Sequence, residues 1–292
     1  MMEWLITGGA GQLGLAISQE LNSRGISYRA SNSTELDVTN TKSIHKTLIE
    51  FSPKVIINCA AWTNVDGAET NEQLAFQVNS HGAANLAHAA KDFGAKFIHI
   101  STDYVFSGNS TQPWKVEDQS NPKSAYGRTK SDGERRVFEI YPQNSSIVRT
   151  SWLYSPWRKN FAKAILKQLI HSDKNIRVVN DQVGQPTSAE DLAVQIVDLG
   201  LSNSPAGTYH GTNSGHATWF EFAQEIVKLA GGDLGRVFPA ASSEFSRPAI
   251  RPEYSVLSHD SWKLTPLAPM RDWRIALYFA MPTIISAVNT EG

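Results

Sequence analysis

An α/β fold built on a doubly wound parallel sheet, with a smaller and mixed C-terminal lobe, is what this sequence predicts. Three observations carry that expectation. Through residue 150, apolar runs of strand length alternate with helical stripes. A glycine-rich turn, Gly8 to Gly14, joins the first run to the first helix. A hydroxyl pair, an acid and a phenol (Ser101-Thr102-Asp103-Tyr104) emerge where a later run stops. In open parallel sheets the crevice beyond the carboxyl ends of the strands is where ligands bind.

Composition narrows the class. At 292 residues the chain can bury a substantial core, and 41% hydrophobic with 19% charged residues is an ordinary folded mixture. A formal net charge of −1 without blocks of like charge gives no support to a nucleic-acid or membrane-surface role. Cys59 is the single cysteine, so no internal disulfide forms and a reducing, cytoplasmic setting is expected. Neither a signal segment nor a bilayer-length apolar run is visible.

Residues 3–7 read as the first strand. The turn Gly8-Gly9-Ala10-Gly11-Gln12-Leu13-Gly14 then opens a helix striped by Leu13, Ile17 and Leu21. Glycines at 8, 11 and 14 permit a tight turn and a close backbone approach to a pyrophosphate, with the helix N-terminus favouring the anion. A second strand is expected over Ile26–Ser31. No acid stands at its end, where Arg29, Ser31 and Ser33 would suit a 2′-phosphate, so NADPH is favoured and NADH would still fit. Arg29 reads equally well as an ordinary solvated side chain. Val55–Cys59 is a third buried strand, and Ala60 and Ala61 leave room for a cofactor at its end. Residues 71–93 read as one long helix with Leu74, Val78 and Leu86 turned inward. His81 and His88 share that helix without a third ligand, so no metal is expected.

The strand at 96–101 delivers Thr102. Tyr126-Gly127-Arg128-Thr129-Lys130 comes later, and four-residue spacing puts Tyr126 and Lys130 on one helix face. A cation beside a phenol favours its ionisation, so the pair suggests proton transfer, with the Thr102 hydroxyl holding a substrate oxygen. Ser146–Arg149 is a further strand. Beyond residue 150 tryptophan and proline become frequent. A helix over Asn160–His171, a strand at Ile176–Val179, a helix over Ala189–Leu201, a strand at Gly207–His210 and an amphipathic helix from Trp219 to Ala230 are expected there. The reading divides the chain into a dinucleotide-binding part, 1–150, and a mainly substrate-binding part, 151–292. About 186–210 is expected to return to the main sheet, and the sheet fold is of Rossmann type.

Several runs together carry a resemblance. They are Gly11-Gln12-Leu13-Gly14, Leu36-Asp37-Val38-Thr39, Asn58-Cys59-Ala60-Ala61, Ser101-Thr102-Asp103-Tyr104-Val105-Phe106, Tyr126-Gly127-Arg128-Thr129-Lys130 and Arg149-Thr150-Ser151-Trp152. Over nearly its whole length the chain resembles the extended short-chain dehydrogenase/reductases, and within them the branch that reduces dTDP-linked 4-keto-6-deoxy sugars. The resemblance implies reduction of the C4 ketone of dTDP-4-dehydro-6-deoxy-L-mannose to dTDP-L-rhamnose, a step in cell-surface polysaccharide biosynthesis. It implies NAD(P)H held by Gly8, Gly11, Gln12, Leu13, Asp37, Val38, Ala60, Ala61, Thr63, Tyr126 and Lys130. It places the sugar near Thr102, Asp103, Tyr104 and Trp152, with Asn160 farther along the sugar nucleotide. Glu190 matches one position of an interface metal seen in some members, but Ala16 stands at another, so a monomer or weak homodimer without metal is expected. Two alternatives stay open: a cofactor-loaded regulatory subunit, such as the beta subunit of methionine adenosyltransferase, and an enzyme for another sugar nucleotide.

Overall fold

Four consecutive buried residues, Trp4–Thr7, make the first strand, β1, of a six-stranded parallel sheet. In the computed structural model, which describes residues 3–291, the chain continues through α1 (Gln12–Ser23), β2 (Tyr28–Ser31), α2 (Thr41–Phe51) and β3 (Val55–Asn58). Short helices α3 (Val65–Thr70) and α4 (Glu72–Phe76) lead through a π-helical turn at Gln77–His81 into α5 (Gly82–Phe93). Next come β4 (Lys96–Thr102), α6 (Ala125–Ile140), β5 (Ser145–Thr150), β6 (Leu153–Tyr154), α7 (Phe161–His171) and β7 (Ile176–Val179). Two short strands, β8 (Val183–Gly184) and β9 (Thr187–Ser188), precede α8 (Ala189–Leu201) and β10 (Gly207–His210). The chain closes with β11 (Ala217–Thr218), α9 (Trp219–Leu229), β12 (Val237–Ala240) and α10 (Trp273–Glu291).

The main sheet runs β10-β5-β4-β3-β1-β2 with every neighbouring pair parallel. From β1 the chain steps outward to β2 and then crosses back to β3. The switch point therefore lies between β1 and β3, beside the glycine turn. Alternation along β1 divides the core. Trp4 and Ile6 pack with Ile17 and Leu21 of α1 and Leu192 and Ile196 of α8, whereas Leu5 packs with Leu48, Leu86 and Val137 from α2, α5 and α6. A second core joins Ile165 of α7, Phe222 and Ile226 of α9, Leu277 and Ile284 of α10, and Ile176 and Val237 of the paired strands β7 and β12.

The helix expected over 71–93 is interrupted. The π turn at Gln77–His81 inserts an extra residue and rotates α5 relative to α4 about the helix axis. Leu86 stays buried, but Leu74, before the insertion, is 55% exposed and does not face the core. Helices α2, α3 and α10 lie outside the sequence expectation. α2 begins where the Asn40 side chain accepts from the Lys42 and Ser43 amides, and it buries Ile44, Thr47 and Leu48. α10 is apolar nearly all round and carries Pro282 inside it, which hides its period. No helix among the described residues is long and apolar enough to cross a membrane.

The proline-rich stretch after 239 is not simply irregular. Pro239 sits in β12, a strand with one partner only, where a missing N–H costs little. Beyond it, residues 245–258 run back as a strap over the sheet's carboxyl edge. Tyr254 bridges to Asn109 and to Val183, and Leu257 to Trp114.

Candidate active site

The glycine turn is shaped by close approach. Gly8 has φ +67°, and a Cβ there would lie 2.6 Å from the Ala60 nitrogen; one on Gly14 would lie 2.5 Å from the Gly8 carbonyl. Only glycine fits either position. Gly11 caps α1 with no side-chain bond to the helix N-terminus, so the amides of Gln12, Leu13 and Gly14 are left without a side-chain cap. Ala60 and Ala61, half-buried at the end of β3, form the opposite lip. Thr63 beyond them is exposed. In the loop between β2 and α2, Val38 is buried, while exposed Asp37 accepts from the Thr39 amide and hydroxyl at 2.9 and 2.8 Å. Arg29 lies 3.6 Å from Glu50, so its charge is partly answered within the chain.

At the carboxyl end of β4 several side chains converge. The Thr102 hydroxyl donates to Asp103 Oδ1 at 3.0 Å and accepts from the Tyr104 amide at 3.2 Å. Gly127 brings α6 against this turn: a Cβ there would lie 2.2 Å from the Tyr104 carbonyl. As a result the Tyr104 and Tyr126 rings meet edge to face, with centroids 5.6 Å apart. Burial pushes the Tyr126 phenol up to about 12, against the opposing effect of the Thr102 hydroxyl. Burial likewise raises Asp103, to about 6, with the hydroxyls of Ser255 and Thr102 drawing it back. Three buried polar atoms here have no hydrogen-bond partner among the described residues: Ser101 Oγ, Asp103 Oδ2 and Thr150 Oγ1. Such atoms at a strand end mark a place where a ligand completes the bonding.

Lys130 finds its hydrogen-bond partners on β4. Four-residue spacing puts it on the Tyr126 face of α6. Its Nζ donates to the Ile100 carbonyl at 2.6 Å and meets His99 Nε2 at 3.2 Å. Burial draws Lys130 down to about 8, and the groups that act on the Tyr126 phenol are Thr102 and Asp103. At neutral pH the phenol therefore keeps its proton. It is poised to donate one.

The second lobe clasps the glycine turn. Gln12 Oε1 accepts from the Ser155 hydroxyl at 2.8 Å and from Asn160 Nδ2 at 3.0 Å, and Arg158 donates to the Ala10 carbonyl at 2.7 Å. Asn160 also caps α7 by accepting from the Lys163 amide. Trp152 takes φ +43°, uncommon for a bulky residue, and stacks on Trp219 at 3.5 Å between centroids. Gly184 lies against the Trp152 indole, leaving no room for a side chain.

Sequence reasoning missed the strap. Arg251 makes a two-pronged pair with Asp66, at 2.6 and 2.7 Å, and the Ala249 amide donates to the same carboxylate at 3.1 Å. Asp66 is thus an ion-pair partner and Asn64 is the cap of α3. This contact holds Asp66 below the usual carboxylate range. Arg251 and Arg247 also bear on the Tyr104 phenol through their charge. The paired arginines in a proline-flanked run were the available signal. Asn58 and His99, polar residues inside apolar strands, were another.

A family model, the RmlD substrate binding domain, matches residues 2–284. The chain belongs to that family. Its relatives agree over full length. A dTDP-4-dehydrorhamnose reductase of Streptomyces griseus is 41% identical over 285 residues, covering 96% of this chain and 93% of that protein. A probable dTDP-4,6-dihydroxy-2-methyloxan-3-one 4-ketoreductase of Streptomyces antibioticus is 42% identical, covering 98% and 97%. Among solved structures, dTDP-4-dehydrorhamnose reductase of Bacillus anthracis in complex with NADP superposes with a TM-score of 0.92 at 37% identity, covering 97% and 99%. In this member of the RmlD family the glycine cradle and the unpartnered polar atoms at the strand ends both fit a dinucleotide. Glu190 lies beside Asp191, which Arg271 engages at 2.7 Å. Among the described residues no three His, Cys, Asp or Glu side chains group to hold a metal.

Proposed function

We propose that this chain reduces the C4 ketone of a dTDP-linked 4-keto-6-deoxy sugar with NADPH, converting dTDP-4-dehydro-6-deoxy-L-mannose to dTDP-L-rhamnose. The observation that carries the reading is a neutral Tyr126 phenol beside the Thr102 hydroxyl, at the sheet edge that also holds the glycine cradle. A bound nicotinamide supplies the hydride to C4. The chain's residues do the rest. Thr102, turning its hydroxyl proton from Asp103 to the substrate, donates to the carbonyl oxygen and orients it, and Tyr126 gives its proton to that oxygen, so ketone, hydride and proton balance as the alcohol. The amides of Gln12, Leu13 and Gly14 hold the pyrophosphate, Asp37 and Val38 border the adenosine, and Ala60, Ala61 and Thr63 line its path. Lys130 is assigned to the ribose hydroxyls. Tyr104 and the Trp152–Trp219 stack wall the sugar, and the arginines of the strap suit a nucleotide-sugar diphosphate by charge.

The relatives' names differ in the sugar and agree on ketone reduction, so the reduction is the firmer half of the proposal. The test is NADPH consumption by the purified chain with a panel of dTDP-linked 4-keto sugars. Turnover with dTDP-4-dehydro-6-deoxy-L-mannose at a kcat/KM above the other sugars is expected. A chain that binds NADPH and turns over none of them would be a regulatory subunit instead. The functional unit is proposed to be a monomer or weak homodimer, which light scattering across a concentration series reads directly.

A further inference from the structure

A row of polar side chains crosses the interior of the sheet, inward of the strand ends. Thr7, Asn58 and His99 stand side by side on β1, β3 and β4 in parallel register, all buried. Asn58 Oδ1 accepts from the Thr7 hydroxyl at 2.7 Å and from the Ala60 amide at 3.1 Å. A backbone N–H can only donate, so that contact fixes the amide with its oxygen toward Ala60 and its nitrogen toward His99. Asn58 Nδ2 meets His99 Nδ1 at 3.0 Å. An amide NH2 can only donate as well, so Nδ1 bears the lone pair and the ring proton resides on Nε2. That Nε2–H faces Lys130 Nζ at 3.2 Å. An ammonium has no lone pair to receive it, whereas a neutral amine does.

We propose that His99 is the positioning residue of Lys130: its Nε2–H, fixed by Asn58, donates to the Lys130 amine and favours the uncharged form of that amine in the cofactor-free chain. The inference deepens the reading of Tyr126 and Lys130 as the catalytic pair, and its bearing on turnover rests on that reading. The surroundings agree. From β3 the Cys59 thiol, and from α6 itself Glu134, act to strengthen proton binding by Lys130, but desolvation outweighs both. Glu134 is committed to Arg149 of β5 at 2.7 Å. Burial, the largest cause, holds His99 well below the usual imidazole range, so the ring stays neutral.

The test uses the full chain without cofactor. Long-range proton–nitrogen spectra of 15N-labelled protein, with the His99 signals identified by their loss in His99→Gln, should show a neutral ring protonated at Nε2. A proton on Nδ1, or a doubly protonated ring at pH 7, overturns the proposal. Carbon-13 spectra of the lysine side chains should show Lys130, identified through Lys130→Met, losing its proton far below the other lysines. An ordinary midpoint overturns it too. Asn58→Asp replaces the donor by an acceptor, so the ring proton should move to Nδ1 and Lys130 should bind its proton at least about tenfold more tightly. An unchanged Lys130 in that variant, folded, contradicts the account, and if the variant does not fold the wild-type spectra decide. In an active enzyme His99→Gln should displace the pH profile of kcat with little change in KM for NADPH, and an unmoved profile tells against a positioning role. A wild-type chain inert toward every keto sugar would sink the functional reading alone, because the spectra need no substrate.

Discussion

His99 and Ser101 stand two residues apart on the same face of β4 and are treated in opposite ways. Both nitrogens of His99 have partners, in a row that runs from Thr7 through Asn58 to Lys130. Ser101 Oγ has none, and neither does Asp103 Oδ2 or, across the register on β5, Thr150 Oγ1. A buried polar group left without a partner costs about 1–3 kcal/mol. A chain that satisfies the inner row and leaves the outer one open gives up stability where a ligand will arrive. In the proposed reading the inner row is scaffold, and the outer one is the binding surface.

The largest expected effect falls on the outer surface. Tyr126→Phe removes only a hydroxyl, so folding and cofactor affinity should hold while kcat falls by about 10²–10⁴, the usual worth of a positioned acid. Steady-state kinetics with NADPH and the keto sugar check it, and turnover close to wild type would remove Tyr126 from the proton-donor role.

Asp103 offers a stability test of the same contrast. Its carboxyl is raised from 3.8 to about 6 by burial, so the folded state binds the proton more tightly than the unfolded one. Its favourable contribution is therefore complete below the ordinary value and is lost as pH rises through about 6. Two pH units correspond to roughly 3 kcal/mol. Asp103→Asn cannot ionise, so melting temperatures of variant and wild type should converge near pH 4 and separate by pH 7, with the variant higher. Parallel curves would show that Asp103 is not strained in the cofactor-free chain.

A smaller effect is expected from the strap. Asp66 and Arg251 form a two-pronged but partly exposed pair, so Arg251→Gln should cost no more than about 1 kcal/mol of stability. It should raise KM for the nucleotide sugar more than it lowers kcat. Chemical denaturation together with kinetics separates the two. A large drop in stability with KM unchanged would make the strap a structural staple only.

These contacts also mark what the sequence could and could not disclose. Strands β1, β3, β4 and β5 were legible because buried parallel strands are short unbroken apolar runs. The cradle was legible because glycines at 8, 11 and 14 have a steric reason within seven residues. The strap was not, because Asp66 and Arg251 lie 185 positions apart and nothing local pairs them. Spacing put Tyr126 and Lys130 on one helix face, but a shared face does not say which atom a flexible lysine reaches. The Lys130 amine turned to His99 and Ile100 because β4 offers the Ile100 carbonyl and the His99 ring beneath α6. The π turn at 77–81 was hidden for a related reason, since an inserted residue leaves composition unchanged while rotating Leu74 to the surface.

The smallest expected effect is none at all. Tyr104 follows Thr102-Asp103, and burial raises its phenol further above the usual range, so it is a poor base for elimination at neutral pH. Incubation with dTDP-glucose and oxidised cofactor should give no 4-keto-6-deoxy product. Its appearance would turn attention to Asp103 as the base.

The most direct test of the whole account tracks one atom. A single turnover is run with NADPH deuterated at the transferring position of the nicotinamide, and the product sugar is read by NMR. The account predicts one deuterium, bound at C4 of the sugar, with the wild-type chain and almost none with Tyr126→Phe on the same timescale. Deuterium at C6, or a cofactor that stays reduced beside the keto sugar, would contradict it.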